Sequence, residues 1–334
     1  MTIRIGVNGL GRIGRMALKM AAGRPEMEVT AVNDPAGPEI MAHLLSHDSV
    51  HGTPDFPIRA DGAFLEINHQ KTPFMSEKDP ERLDWGKYGA DIVLECSGVF
   101  RTRETASKHL AAGASKAIIS APAKDPDATI VMGVNSSVYD PRRHHIISNA
   151  SCTTNCLAPV AKVLHERLGI RRGMMTTVHS YTGDQRLMDA PHKDFRRARA
   201  AGLSMIPTTT GAAKAVELVL PELSGKMSGL AIRVPTANVS IVDFVAQVGR
   251  TGLTAPDVND IFKEAASGPL SGILGCSDEF LVSSDFNGST LSSVVDAPLT
   301  SVMGDMVKTL SWYDNEAGYA ARMIDLALMV GSRL

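Results

Sequence analysis

The chain has 334 residues, 44% hydrophobic and 21% charged, enough to bury a full core and long enough to favour two domains over one. Its 34 basic and 36 acidic residues leave a net charge of -2, so no electrostatic argument favours nucleic acid or an anionic membrane as a partner. The opening MTIRIGVNGLGRIGR lacks the segments of a secretory signal, and no apolar run is long enough to span a bilayer, so a cytoplasmic protein is expected.

In chain order, Ile3–Asn8 reads as a strand, Arg12–Ala22 as a helix and 29–33 as a second strand, a βαβ opening. Short apolar runs at Ile92–Glu95, 116–120, 130–133 and 145–148, bounded by Gly, Pro and Ser, predict buried parallel strands and a doubly wound α/β sheet. After Ser151 a helix is expected, then longer alternating segments at 229–245 and 291–295 that read as an antiparallel sheet with helices beside it, an α+β arrangement. Between them, 181–207 holds four arginines, a lysine and Pro191 with weak periodicity, and reads as a long functional loop. Apolar residues at helical spacing in 316–334 predict a closing helix.

Gly9, Gly11 and Gly14 form G-x-G-x-x-G between the first strand and the first helix, the context in which this motif binds a dinucleotide. Gly9 permits the tight turn, Gly11 lets backbone approach a pyrophosphate, Gly14 allows close helix packing, and the helix N-terminus presents amides to the phosphates. Asp34 ends the second strand about 20 residues on, where a carboxylate accepts hydrogen bonds from ribose hydroxyls. The next residues are Pro35, Ala36 and Gly37, with no arginine to receive a 2'-phosphate, which favours NAD over NADP.

Four cysteines, Cys96, Cys152, Cys156 and Cys276, are too few and too scattered for a disulfide framework. The SCTTNC run lacks a second Cys or His pair at zinc-finger spacing, so no metal is expected. Cys152 starts the predicted helix after Ser151, where amides and the helix dipole favour thiolate, and a neighbouring imidazolium would favour it further. Cys156, one turn further in, reads as a small packed residue. His179 follows a β-branched run and could emerge beside the nucleophile as its base, although spacing alone ranks His109, His165 and His192 little lower.

NGLGRIGR, SNASCTTNCLAP, TVHSYTGDQ, TTTGAAKAV, RVPT and WYDNE are similar to successive motifs of phosphorylating, NAD-dependent glyceraldehyde-3-phosphate dehydrogenases, and the resemblance spans essentially the whole chain. It implies an N-terminal Rossmann domain (1–151 with the C-terminal 314–334) and a catalytic domain with a mixed or antiparallel sheet (152–313), including a long loop at about 181–203. On this resemblance Cys152 attacks the aldehyde of glyceraldehyde 3-phosphate, His179 takes the proton, and hydride passes from a hemithioacetal to the nicotinamide. The resulting thioester keeps the acyl group activated for inorganic phosphate, giving 1,3-bisphosphoglycerate in glycolysis or gluconeogenesis.

The resemblance also implies two anion sites. Thr182, Arg197 and Arg233 suit the substrate phosphate or the ground between the two sites, while Ser151, Thr153, Thr210 and Gly211 suit the incoming phosphate. The cofactor residues carried over are Arg12 and Ile13 at the pyrophosphate turn, Asp34 at the ribose, Ser120, Asn315 near the nicotinamide amide, and Lys78 where an arginine is common. A homotetramer is expected, with no requirement for nucleic acid or membrane. After WYDNE the family's usual Trp is replaced by Ala317, which removes a large apolar contact but no catalytic group. Pro35 and Pro191 resemble NAD-using members. Two rivals are an erythrose-4-phosphate dehydrogenase, against which Asp34 and Tyr313 stand where Glu and Phe are usual, and an interaction protein binding NAD or RNA, against which the retained nucleophile and phosphate-binding sets stand.

Overall fold

The structure is a computed structural model that describes residues 2–334, and it divides into two compact units. Among the described residues the first comprises 2–132, Ser136–Ser151 and Ala320–Leu334, the second Gly133–Asn135 and Cys152–Tyr319. Residues 133–135 and 314–319 thus group otherwise than in the expected division.

In the first unit the chain runs β1 (Ile3–Asn8), α1 (Arg12–Ala22), β2 (Met27–Asn33), α2 (Pro38–Ser46), β3 (Ile58–Asp61), β4 (Phe64–Ile67) and β5 (Gln70–Met75). It continues through β6 (Ile92–Glu95), α3 (Arg103–Ala106), α4 (Lys108–Ala111), β7 (Lys116–Ile119), β8 (Ala128–Thr129) and β9 (Ile146–Ser148). These strands make one sheet of nine in the order β3-β4-β5-β2-β1-β6-β7-β9-β8. The stretch β5-β2-β1-β6-β7-β9-β8 is parallel, the doubly wound arrangement expected. β6, β7 and β9 are buried on both faces, with every residue buried. The strand expected at 130–133 is instead the two-residue β8 just before it. Ile130 makes one more bond, to the Ser148 carbonyl at 2.9 Å, and the chain then leaves the sheet in a turn. The antiparallel β3–β4–β5 meander was not foreseen, because its strands are short and partly exposed and carry little periodic signal.

The second unit holds α5 (Cys152–Leu168), β10 (Ile170–Ser180), β11 (Ile206–Thr209), α6 (Ala212–Val219), β12 (Met227–Val234), β13 (Ser240–Val248) and α7 (Ala255–Ser267). It continues with β14 (Leu274–Ser277), β15 (Ser293–Asp296), β16 (Ser301–Met303) and β17 (Met306–Tyr313), and α8 (Ala317–Gly331) begins at its end. The sheet order is β11-β12-β10-β13-β17-β15-β14, with β16 on β17. β10 pairs parallel with β12 and antiparallel with β13, so the sheet is mixed. Strict alternation along β13 and β17 turns Val242, Phe244, Ala246 and Val307 into the core, the pattern of a sheet packed on one face. Residues 181–205 form turns and bends without a helix or strand.

Candidate active site

In the first unit, β1 ends at Asn8 and the chain turns sharply into α1. Gly9 has φ +88, and a Cβ there would lie 2.5 Å from the Ser97 backbone, while one on Gly14 would lie 1.9 Å from the Gly9 carbonyl oxygen. Only glycine fits at either place. A Cβ on Gly11, by contrast, would meet nothing within 4 Å, so the space over this backbone is open to a ligand. The first α-helical bond is from Arg15 N to the Gly11 carbonyl, which leaves the amides of the first turn, those of Arg12 and Ile13 among them, at the mouth of the cradle. The Arg12 guanidinium is turned onto Asp48, at 2.9 Å from both carboxylate oxygens, so its contribution at the turn is backbone. Asp34 accepts from Leu10 N at 2.8 Å and Ala36 N at 3.0 Å, which aims its carboxylate before any ribose arrives. Ser120 follows β7 and donates its amide to the Glu95 carbonyl at 2.9 Å, and Lys78 is exposed beside Glu77. A glycine cradle, a helix N-terminus and an oriented carboxylate together fit a dinucleotide.

In the second unit, Cys152 opens α5 and His179 is the penultimate residue of β10. Sγ lies 3.4 Å from His179 Nε2. The parallel register sets Arg233 of β12 opposite His179, and its Nη1 lies 2.9 Å from Nδ1, 3.0 Å from the Ser180 carbonyl and 3.3 Å from the Thr182 hydroxyl. Arg233 Nε is buried without a partner among the described residues, a donor left over for an anion. Thr182 and Arg197 both donate to Asp184, the latter at 2.7 Å, and Arg197 Nε donates to Thr208 at 3.0 Å, so a carboxylate already holds donors suited to a phosphate. Asp184 and Thr208 lie within the motifs TVHSYTGDQ and TTTGAAKAV, but in or just after the weakly periodic segment no local pattern singles them out. Thr153 shares its hydroxyl with Tyr313 at 3.0 Å, and Thr210 and Gly211 stand at the N-terminal end of α6, where Ala212 N donates to the Thr210 hydroxyl at 3.2 Å. Ser151 immediately precedes the nucleophile and closes the first unit's share of this stretch. Asn315 Oδ1 accepts from Ser180 Oγ at 2.8 Å and Ser240 Oγ at 2.9 Å, which leaves Nδ2 as the outward donor.

Burial changes the electrostatics expected of the nucleophile. It pushes the Cys152 thiol up, against the lowering pull of Arg233 and the Thr153 donors. Burial and then Arg233 push the His179 imidazole down, to about 3. Neither group ionises readily alone. Proton transfer from sulfur to Nε2 makes the two charges together, 3.4 Å apart at a helix N-terminus, where each stabilises the other.

A dinucleotide turn in one unit and a thiol–imidazole pair flanked by arginines in the other are the marks of a nicotinamide-dependent oxidoreductase with a cysteine nucleophile. Family profiles agree: residues 3–103 match "Glyceraldehyde 3-phosphate dehydrogenase, NAD binding domain" and residues 151–315 match "Glyceraldehyde 3-phosphate dehydrogenase, C-terminal domain". The chain is 59% identical over 334 residues to a glyceraldehyde-3-phosphate dehydrogenase of Geobacillus stearothermophilus, covering 100% of this chain and 99% of the relative. It is 57% identical to glyceraldehyde-3-phosphate dehydrogenase 1 of Bacillus subtilis (strain 168), at the same coverage. Against the chloroplastic enzyme GAPB of Arabidopsis thaliana it is 53% identical, covering 99% of this chain and 75% of that one. The chain belongs to the glyceraldehyde 3-phosphate dehydrogenase family, and it is an NAD-dependent oxidoreductase.

Proposed function

We propose that this enzyme oxidises glyceraldehyde 3-phosphate with NAD and inorganic phosphate to 1,3-bisphosphoglycerate, through an acyl thioester on Cys152. The observation that carries the reading is the 3.4 Å approach of Cys152 Sγ to His179 Nε2 beside two arginines. Sulfur adds to the aldehyde carbon as its proton passes to Nε2, and the imidazolium then gives that proton to the new alkoxide, completing the hemithioacetal. Nε2 next takes the hydroxyl proton while the carbon loses hydride, whose acceptance is the chemistry NAD supplies when bound. A thioester remains. Phosphate oxygen attacks its carbonyl carbon, the C–S bond breaks, and sulfur recovers its proton from His179.

Arg233, Thr182 and Arg197 are assigned to phosphate oxygens of the substrate, supported by the buried unpartnered Nε of Arg233. Ser151, Thr153, Thr210 and Gly211 are assigned to the incoming phosphate. Gly9, Gly11, Arg12, Ile13, Gly14, Asp34, Lys78 and Ser120 are assigned to NAD, with Asn315 Nδ2 donating to the nicotinamide carboxamide. The assembly is a homotetramer, a reading supported by exposed apolar residues along one segment, Leu187, Met188, Phe195, Leu203 and Met205. No helix among the described residues is long and apolar enough to cross a membrane, and we place the enzyme in the cytoplasm.

The test is formation of reduced cofactor with NAD and glyceraldehyde 3-phosphate, with and without phosphate, beside Cys152→Ser. Sustained turnover is expected only with phosphate and only with Cys152. Phosphate-independent turnover, or activity surviving in the variant, overturns the route.

A further inference from the structure

Away from the nucleophile, the first unit contains a buried polar chain that the reaction does not use. Asn33, Asn8 and Glu95 are the last residues of three adjacent parallel strands, β2, β1 and β6, and pair in register, Asn8 opposite Asn33 on one side and Glu95 on the other. Asn33 Nδ2 donates to Asn8 Oδ1 at 2.7 Å, and Asn8 Nδ2 donates to Glu95 Oε2 at 2.5 Å. From the other side, Trp85 Nε1 donates to His109 Nδ1 at 3.1 Å, which leaves the ring proton on Nε2, 2.8 Å from Glu95 Oε2. Ser97 contributes its amide and its hydroxyl to Glu95 Oε1. Four donors converge on this one carboxylate and fill its four acceptor positions. Trp85 and His109 are fully buried, and Glu95, Asn8 and Asn33 are no more than 2% exposed.

Apolar side chains could hold these strands together at lower desolvation cost. What they could not do is hold the loops that follow. Each strand in the row runs directly into part of the cofactor cradle: β1 into the Gly9 turn, β2 into Asp34, β6 into Ser97, against whose backbone Gly9 packs. The row bonds to those loops as well as to itself. Asn33 Oδ1 accepts from Glu77 N and its Nδ2 donates to the Glu77 carbonyl, both at 2.9 Å, which fastens the segment carrying Lys78.

We propose that Asn33, Asn8, Glu95 and His109 are positioning residues for NAD, a relay with the Glu95 carboxylate as its hub that sets the spacing of the cofactor loops. The proposal rests on the assignment of the Gly9 turn and Asp34 to the dinucleotide. Glu95→Gln is the sharpest probe, because its carboxamide NH2 meets a donor in either orientation, the Ser97 amide at one oxygen's position or Asn8 Nδ2 and His109 Nε2 at the other's. Asn33→Leu breaks the far end without touching Glu95.

The experiment is calorimetric titration of the full-length variants with NAD in the absence of substrate, together with thermal melting, the rate of Cys152 alkylation by iodoacetamide in the free enzyme, and kcat at saturating NAD. Each variant is expected to weaken NAD binding about tenfold, the scale of one buried hydrogen bond lost. Alkylation and kcat should stay within about threefold of the parent, a change smaller than the loss of one such bond. Because the relay is a single unit, the double variant should weaken binding far less than the product of the two single effects. Normal NAD affinity in a folded Glu95→Gln protein, a fall in kcat with unchanged affinity, or multiplication of the two effects overturns the relay. If Glu95→Gln does not fold, Asn33→Leu alone decides by the same affinity criterion. Asp34→Ala separates the two readings: unchanged NAD binding there overturns the cofactor-site assignment itself, whatever the relay variants do.

Discussion

His179 Nδ1 lies 2.7 Å from the Ser180 carbonyl and 2.9 Å from Arg233 Nη1, and it cannot donate to the first while accepting from the second. With its proton on Nδ1, the imidazole donates to Ser180 and turns the Nε2 lone pair to the thiol, the form that can act as a base. Arg233 keeps the Ser180 carbonyl and the Thr182 hydroxyl as acceptors in that state. Asp48 shows the same logic in the other unit. Burial would raise its carboxyl, but the amides of Val50 and His51 and the Arg12 guanidinium outweigh it and hold it at about 2, below the ordinary 3.8. Its contribution to stability is therefore complete above about pH 3.8 and is lost as pH falls through about 2. Asp48→Asn should lower stability at neutral pH, with the deficit shrinking toward pH 2, as read by urea unfolding across that range. A deficit that does not change with pH would contradict this account.

At the scale of elements, β10 does most to assemble the site, since its register with β12 brings His179 and Arg233 together across the intervening sequence. A reader of the sequence can see that Cys152 opens a helix and that His179 ends a strand, because both lie where a periodic run meets polar residues. The neighbour of β10 is set by sheet pairing, and no local pattern encodes it. Tyr313, at the end of β17, ties the same region together: its hydroxyl bridges Thr153 of α5 at 3.0 Å and Thr177 of β10 at 2.8 Å, and its ring stands edge-on to His179. Tyr313→Phe leaves both threonine hydroxyls short of a buried partner and should cost about 1–2 kcal/mol of stability by thermal or urea unfolding. No measurable loss would mean that the two threonines find other partners. The Trp-to-Ala difference at the start of α8 leaves no exposed gap. Ala317 is 2% exposed, and its amide donates to Asp314 Oδ1 at 2.8 Å.

At the scale of the whole molecule, the doubly wound sheet, the glycine cradle and a second sheet of alternating strands were legible, because glycine spacing and the switch from helical to alternating periodicity are local signals, whereas the parallel β10–β12 pair that makes the second sheet mixed carries no such signal. The β3–β5 meander was not, since Pro57 and Gly62 flank β3, Pro73 falls within β5, and the strands are too short to show a period. The Glu95 relay was not legible either: a carboxylate closing the apolar run Ile92–Glu95 looks like the place where a strand meets solvent, yet it is buried among donors that converge from separate elements. The central claim for the molecule is that oxidation leaves the acyl group on Cys152 until phosphate removes it. The direct measurement is to mix enzyme, NAD and glyceraldehyde 3-phosphate without phosphate, quench, and map the adduct by mass spectrometry. The account predicts one burst of reduced cofactor matching the number of sites, with a phosphoglyceroyl group on the Cys152 peptide that disappears when phosphate is added. A burst with no adduct on Cys152, or an adduct that phosphate leaves in place, would contradict it.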